Sequence, residues 1–227
     1  MQKEVVVISL GGSLIIPENI DLDFLKKFRE IINKNKRNKK FVIVCGGGSV
    51  ARKYIKALSE DKKSYYLQSL IGISITRLNA RFMSYFFGID PEKGIAHDMT
   101  QITNLLKKND LVFCGALRYA ENQTSDATAV KLAAHLKTSF INLTNVKGLY
   151  DKNPQLKGAK FIPSISIEGF NRIVMSIPNK PGMHAPVDHV AMRVIKEHKI
   201  KTYILGRDIK QLDNLLNNKS FIGTTIE

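Results

Sequence analysis

Two cysteines, Cys45 and Cys114, are all that the 227 residues contain, and there is no tryptophan. Two thiols make neither a disulfide framework nor a metal-ligand spacing. Each closes a short apolar run, which fits small buried hydrophobes at strand ends. No apolar run approaches the roughly 20 residues of a membrane span. Residues 1–16 are apolar, but Glu4 stands where a cationic leader region belongs and Gly11-Gly12 interrupts the run. No small-residue cleavage site follows, so a signal peptide is not expected and a cytoplasmic protein is. Acidic residues are also scarce: 20 Asp and Glu face 35 Lys and Arg, a net charge of +15. The lysines are spread along the chain, and their one dense run, residues 33–40, carries no interleaved aromatics. The excess therefore reads as a solvated basic surface rather than a nucleic-acid interface, although such a field still draws nucleotides.

What is present is alternation. Residues 4–10 form a β-branched run of the kind buried on both faces of a sheet, and residues 41–45, 111–114, 140–144 and 202–205 repeat the pattern. Between them lie helical periodicities over 21–32, 50–58, 65–86, 125–136, 187–197 and 208–216. A short strand is expected to close the chain at 223–226, with irregular pieces beyond Pro154 and a Pro-, Gly- and Lys-rich mobile loop over 175–186. Strands alternating with helices imply a three-layer αβα sandwich on a central, mostly parallel sheet, here read as one domain over residues 1–227. Ligands of such sheets bind at the carboxyl ends of the strands. Four features fall there together: Gly11-Gly12-Ser13, Gly46-Gly47-Gly48-Ser49, Thr124-Ser125-Asp126 and the turn beginning Thr144-Asn145.

Glycine lets backbone N–H groups close on an anion, and a following helix N-terminus adds unpaired donors. Two strand–glycine–helix junctions on one edge point to two phosphate grips, with Arg52 one turn into the second helix able to fork onto phosphate oxygens. Neither loop has the Walker A or the dinucleotide-fingerprint spacing. Asp126 opens a helix and fits a structural N-cap or first-turn acid, or alternatively a group organising Lys/Arg donors or a metal between two phosphates. The five histidines are scattered without metal spacing, and no protein metal ligand is assigned.

These motifs, in this order over nearly the whole chain, resemble the amino-acid-kinase superfamily, most closely its archaeal-type UMP kinases. The anchors are the two glycine segments, Gly72-Ile73-Ser74-Ile75-Thr76-Arg77-Leu78-Asn79, Gln123-Thr124-Ser125-Asp126-Ala127, Thr144-Asn145-Val146-Lys147-Gly148-Leu149-Tyr150, Asp188 and Gly223-Thr224-Thr225-Ile226-Glu227. The resemblance implies Mg²⁺-assisted phosphoryl transfer from ATP to UMP in pyrimidine nucleotide biosynthesis, by a hexamer assembled as a trimer of dimers with residues 72–79 at an interface. It implies an N-terminal part for the acceptor and a C-terminal part for ATP. Gly12, Gly48, Arg52 and Asp126 would serve catalysis. Gly12, Ser13, Gly48, Arg52, Thr144, Asn145, Tyr150 and Asn153 would hold ATP. Gly47, Ser69, Arg118, Thr124 and Ser125 would hold UMP.

This chain departs from the family pattern at several points. Ser9 stands where many members carry a lysine, Ser69 where many carry an acid, and Lys147 and Asn153 where aspartates are common. Residues 115–123 run two or three positions long, with Arg118 and Tyr119 in place of a Pro-Gly turn. Lys147 and Lys180 are candidates to supply the cation absent at Ser9. The departures leave open an acceptor other than UMP, another phosphate or a carboxylate, and a non-catalytic nucleotide-binding oligomer.

Overall fold

The computed structural model describes residues 3–91, 94–119, 124–177 and 186–227. The chain begins with β1 (Glu4–Leu10), one helical turn α1 (Gly12–Ile15), α2 (Leu22–Asn35) and β2 (Lys39–Cys45). Then follow α3 (Gly48–Glu60), α4 (Tyr65–Phe86), α5 (Met99–Lys108) and β3 (Leu111–Cys114). The second half holds α6 (Ser125–His135), β4 (Phe140–Leu143), β5 (Leu149–Tyr150), β6 (Phe161–Ile162), β7 (Ser164–Ile165) and α7 (Ile167–Ser176). It ends with α8 (His189–His198), β8 (Thr202–Leu205), α9 (Ile209–Leu216) and β9 (Thr224–Ile226).

Seven strands form one sheet in the order β3-β2-β1-β4-β8-β9-β7. The first five run parallel, and only β9 opposes its neighbour β8. Helices α2, α4 and α9 lie together on one face: Arg29 of α2 donates to Phe86 O at 2.9 Å, and Asn35 of α2 meets Asp213 of α9 at 3.0 Å. Helices α5, α6 and α8 cover the other. Sandwiched between these layers, the central strands are apolar on both faces. Val7, Ile8, Leu10, Phe41, Ile43, Phe140 and Leu143 are fully buried, each such side chain stabilising the fold by about 1.5–3 kcal/mol. Cys45 and Cys114 are buried at strand ends as expected, and burial pushes the Cys114 thiol up to about 12.

The strand order reverses around β1: the chain steps outward through β2 and β3, then returns to β4 on the other side. That reversal opens a crevice beyond the carboxyl ends of β1 and β4. Gly11 lies in it, its N–H donating to Leu143 O at 2.9 Å.

Several sequence expectations change. The first glycine segment is not only a loop but winds directly into α1. Helix α5 was not expected; Asp98 caps it and only Ile102 and Leu106 are buried on it, too short a stripe to mark a helix in the sequence. Helix α7 occupies a stretch expected to be irregular and absorbs Met175 and Ser176 from the expected mobile loop. Most of the rest of that loop, residues 178–185 with Lys180 and His184, lies outside the described residues, as do residues 120–123 of the long loop after β3. Among the described residues, no helix is long and apolar enough to cross a membrane.

Lys62, Lys137 and Lys199 each take a left-handed conformation, with φ of 54°, 53° and 49°. Lys199 caps the C-terminus of α8 in this way. A side chain in this region costs energy that glycine does not incur. Replacing Lys199 by Gly should stabilise the protein by roughly 1 kcal/mol, a rise of about 2–4 °C in Tm for a chain of this size. A calorimetric melt showing no rise, or a fall, would show that the αL cap carries no strain.

Candidate active site

The two glycine segments touch backbone to backbone. A Cβ on Gly12 would overlap the Gly48 nitrogen and lie 2.7 Å from both Gly46 C and Gly47 N. A Cβ on Gly46 would lie 2.5 Å from Gly12 N. Gly48 has φ +66°, so it needs glycine for conformation as well as for space. The contact is fixed from several sides. Gly46 N–H donates to Leu10 O at 2.9 Å, Ser49 N–H to Ile16 O at 3.0 Å, and the buried Asn79 of α4 donates to Gly46 O at 2.7 Å.

Among the described residues, the N–H groups of Gly12, Ser13, Gly47 and Gly48 find no acceptor. Folded proteins rarely leave such donors unpaired. Here four cluster where α1 and α3 begin, each helix adding the partial positive charge of its first turn. The arrangement is built for anionic oxygens. Arg52, exposed on α3, adds a guanidinium that forms no hydrogen bond among the described residues.

Next to this cluster, Ser9 at the end of β1 donates to Asp126 Oδ1 at 2.6 Å. Asp126 does not cap α6; Thr124 does, its Oγ1 accepting Asp126 N–H at 3.1 Å. Thr124 Oγ1 in turn donates to Asp188 Oδ2 at 2.5 Å. Asp188 also accepts from Ala127 N at 3.2 Å and, through Oδ1, from Ala191 N at 2.8 Å. One carboxylate therefore bolts the start of α6 to the start of α8, with both its oxygens committed. Asp126 keeps its second oxygen without a hydrogen-bond partner among the described residues.

The Asp126 carboxyl is pushed up to about 6, first by burial; the Ser9 hydrogen bond opposes this, and the charge of Asp188 adds to it. Ser9 thus delivers a hydrogen bond in the place of a cation, and a hydroxyl lowers a carboxyl less than a neighbouring ammonium would.

The remaining candidates divide into two groups. Thr144 sits at the end of β4 beside this crevice, its N–H held by Leu205 O at 2.9 Å and its hydroxyl by Asn145 Oδ1 at 3.3 Å. Tyr150 lies on the β5–β6 hairpin, edge-on to Phe161 at 5.6 Å. Thr224 pins that hairpin, accepting Leu149 N–H at 2.8 Å and donating to Ile162 O at 2.6 Å. Asn153 is farther along the same excursion, capping its own turn at Gln155 N. Ser125 is partly buried in the first turn of α6, and Ser69 is partly exposed on α4. Arg118 is turned to Asp98 at the start of α5, 3.6 Å away, with its side chain 81% exposed.

Sequence reasoning missed Asn79, Asn142 and Arg207. Asn142, buried on β4, donates to Pro186 O at 2.8 Å. Arg207, just past β8 on the carboxyl edge, pairs with Asp21 at 2.6 Å. Asn142 is a polar residue inside an apolar strand and was the one legible signal; the other two depend on partners distant in sequence. Lys147 is exposed on the turn after β4, packed by backbone against Gly206. Among the described residues, no group of three or more His, Cys, Asp or Glu could hold a metal.

Because folded Asp126 holds its proton above the ordinary 3.8, the native state binds more protons than the unfolded chain between about 4 and 6. Stability is therefore lost as pH rises through that window. Asp126→Asn should be more stable than wild type by on the order of 1–3 kcal/mol at pH 7–8, the gain shrinking below about 6 and vanishing near 4. Melts of the ligand-free protein across that range measure it. A difference independent of pH would mean that Asp126 ionises normally.

A model of the amino acid kinase family matches residues 4–206. The uridylate kinase of Thermococcus kodakarensis is 32% identical over 225 residues, 98% of this chain and 99% of its own. That of Methanosarcina barkeri is 31% identical over 218 residues, 95% of this chain and 92% of its own. The crystal structure of uridylate kinase from Archaeoglobus fulgidus superposes with a TM-score of 0.83 at 30% identity, covering 99% of this chain and 100% of that one. UMP kinase from Ureaplasma parvum shares the fold, with a TM-score of 0.79 at 20% identity over the whole of both chains. With both glycine segments, α6 and β4 inside the matched span, the chain belongs to the amino acid kinase family.

Proposed function

We propose that this chain is a UMP kinase, one amino-acid-kinase domain that transfers the γ-phosphoryl of ATP to UMP and gives UDP for pyrimidine nucleotide synthesis in the cytoplasm. The observation that carries the proposal is the cluster of unpaired amides from Gly12, Ser13, Gly47 and Gly48, contributed by two phosphate grips in direct contact. Two grips that touch suit a reaction in which one bound phosphate attacks another, with no covalent intermediate on the protein.

In this reading the carboxyl ends of β1 and β4 receive ATP. Gly12 and Ser13 donate to its phosphates, while Thr144, Asn145, Tyr150 and Asn153 surround the rest of the nucleotide. Gly47, Ser69, Arg118, Thr124 and Ser125 take UMP, which brings the acceptor phosphate beside Gly48 and Arg52. Charge that spreads over the transferring phosphoryl is met by fixed amide dipoles and by the Arg52 guanidinium. The donor set fits Mg²⁺ held mainly by substrate oxygens and water: Asp188 has no oxygen to spare, and Asp126 has one. Bound there, Mg²⁺ would neutralise phosphate charge and favour ionised Asp126.

The acceptor is decided by assaying labelled ATP with UMP, CMP, AMP, isopentenyl phosphate and acyl acceptors. UDP should dominate. Turnover of another phosphate or a carboxylate in preference to UMP, a result the Ser69 and Arg118 departures leave room for, would overturn the assignment. Asp126→Asn should lower kcat by about 10²-fold or more while the protein stays folded.

Helix α4 supports an oligomer. Leu67, Leu78 and Tyr85 fall on one stripe at helical spacing and are 44%, 58% and 54% exposed, and Tyr54 of α3 and Tyr65 at the start of α4 are exposed as well. A stripe of this kind on a soluble enzyme calls for a partner, and we assign it to a second copy of the chain within a hexamer built as a trimer of dimers. Leu78→Glu should split the assembly into smaller species by sedimentation velocity. An unchanged mass would remove residues 72–79 from the interface.

A further inference from the structure

Helix α4 does more than offer an exposed stripe. Its inner face holds both acceptor-side loops where it crosses the carboxyl edge of β2 and β3. Asn79 holds Gly46, while Thr76 and Arg77 hold the start of the long loop after β3. Thr76 Oγ1 accepts Ala116 N–H at 2.9 Å and donates to Ile73 O at 2.7 Å. Arg77 Nε donates to Ala116 O at 3.1 Å, and an Arg77 Nη donates to Leu117 O. Gly115 allows this close approach: a Cβ there would lie 2.5 Å from Arg77 N and 2.6 Å from Thr76 C.

Arg77 is unusual in its choice of partners. It is partly buried, yet no carboxylate pairs with it among the described residues, and both interactions of its fork end on consecutive backbone carbonyls. Burial lowers its pKa from the ordinary value. Withdrawing a guanidinium from water without an anion is costly, and an apolar side chain would pack here without that cost. What an apolar side chain or a lysine could not do is grip two successive carbonyls at fixed spacing. Past that grip the loop is stretched between two helices. Arg118 reaches Asp98 of α5 at 3.6 Å, and the Tyr119 ring stands edge-on to Tyr66 of α4 with centroids 4.8 Å apart.

We propose that Arg77 is a positioning residue that sets acceptor affinity and selectivity, its guanidinium fork fixing Ala116 and Leu117 so that Arg118 and Tyr119 leave α4 in one arrangement. The inference rests on the reading that this loop lines the acceptor side. Arg77 touches neither substrate; it acts through the loop backbone.

Arg77→Gln and Arg77→Lys test this with two independent readouts. In ligand-free protein, hydrogen exchange of residues 115–119 should accelerate about tenfold or more in R77Q and less in R77K, which keeps the charge but not the fork. In steady state, KM for UMP should rise about 10- to 100-fold in R77Q, with KM for ATP and kcat within about twofold, and preference for UMP over CMP should fall. Unchanged exchange at 115–119 would overturn the proposal, as would parallel rises in both KM values, which report general loosening. Should R77Q fail to fold, R77K and Thr76→Val, which removes the hydroxyl that accepts Ala116 N–H and donates to Ile73 O within α4, carry the same comparison. A wild-type enzyme inactive on UMP would refute the UMP reading instead, and exchange would still judge Arg77.

Discussion

Everything at the carboxyl edge depends on one close approach, the backbone of Gly12 against that of Gly46, Gly47 and Gly48. Two strands and three helices converge on it. β1 and β2 deliver the two segments side by side in register, and α1 and α3 begin there; α4 braces the second loop through Asn79. A single methyl group at Gly12 would occupy the space of the Gly48 nitrogen. This is a steric constraint, but its consequence is electrostatic. Two helix N-termini held this near each other place four amides, unpaired among the described residues, within one small volume, an arrangement that would let two bound anions approach each other despite their mutual repulsion.

The same economy appears in the carboxylates. Asp188 spends both oxygens on amide and hydroxyl donors from α6 and α8, making it a rivet between helices rather than a free charge. Asp126, in the first turn of α6, is half satisfied by Ser9 and raised to about 6 by burial and by Asp188. Two acids in one cluster thus have different duties because their hydrogen-bond partners differ, not because their surroundings differ in polarity alone.

The architecture was largely legible in the sequence because buried parallel strands announce themselves. Runs such as Val5-Val6-Val7-Ile8 and Phe41-Val42-Ile43-Val44 have no other stable setting, and glycine clusters mark where they end. Helix α5 was not legible, since two buried residues make too narrow a stripe, and α7 was hidden among short strands. At the site, the glycines and Asp126 could be named from local pattern. Their brackets could not. Asn79, Arg77 and Asp188 act on Gly46, on residues 116–117 and on residues 124–127, respectively, and no periodicity connects positions so far apart in the chain. Of the two structural roles open to Asp126, N-cap or first-turn acid, the structure shows the second, with Thr124 as the cap; a one-dimensional pattern does not rank competing donors at a boundary.

The question raised by Ser9 was how the chain supplies the charge of a missing lysine. A lysine would hold Asp126 ionised at all times and would itself meet phosphate. Ser9 does the first only weakly and the second not at all. Under the proposed function the amide cluster would do the second without adding a fixed charge. Asp126 is then left with its carboxyl raised to about 6, and under the proposed function a cation accompanying the nucleotide would draw it further toward the charged form. Under the proposed function the electrostatic arrangement would be completed by the bound ligands, where a lysine beside Asp126 would have built a permanent ion pair into the site.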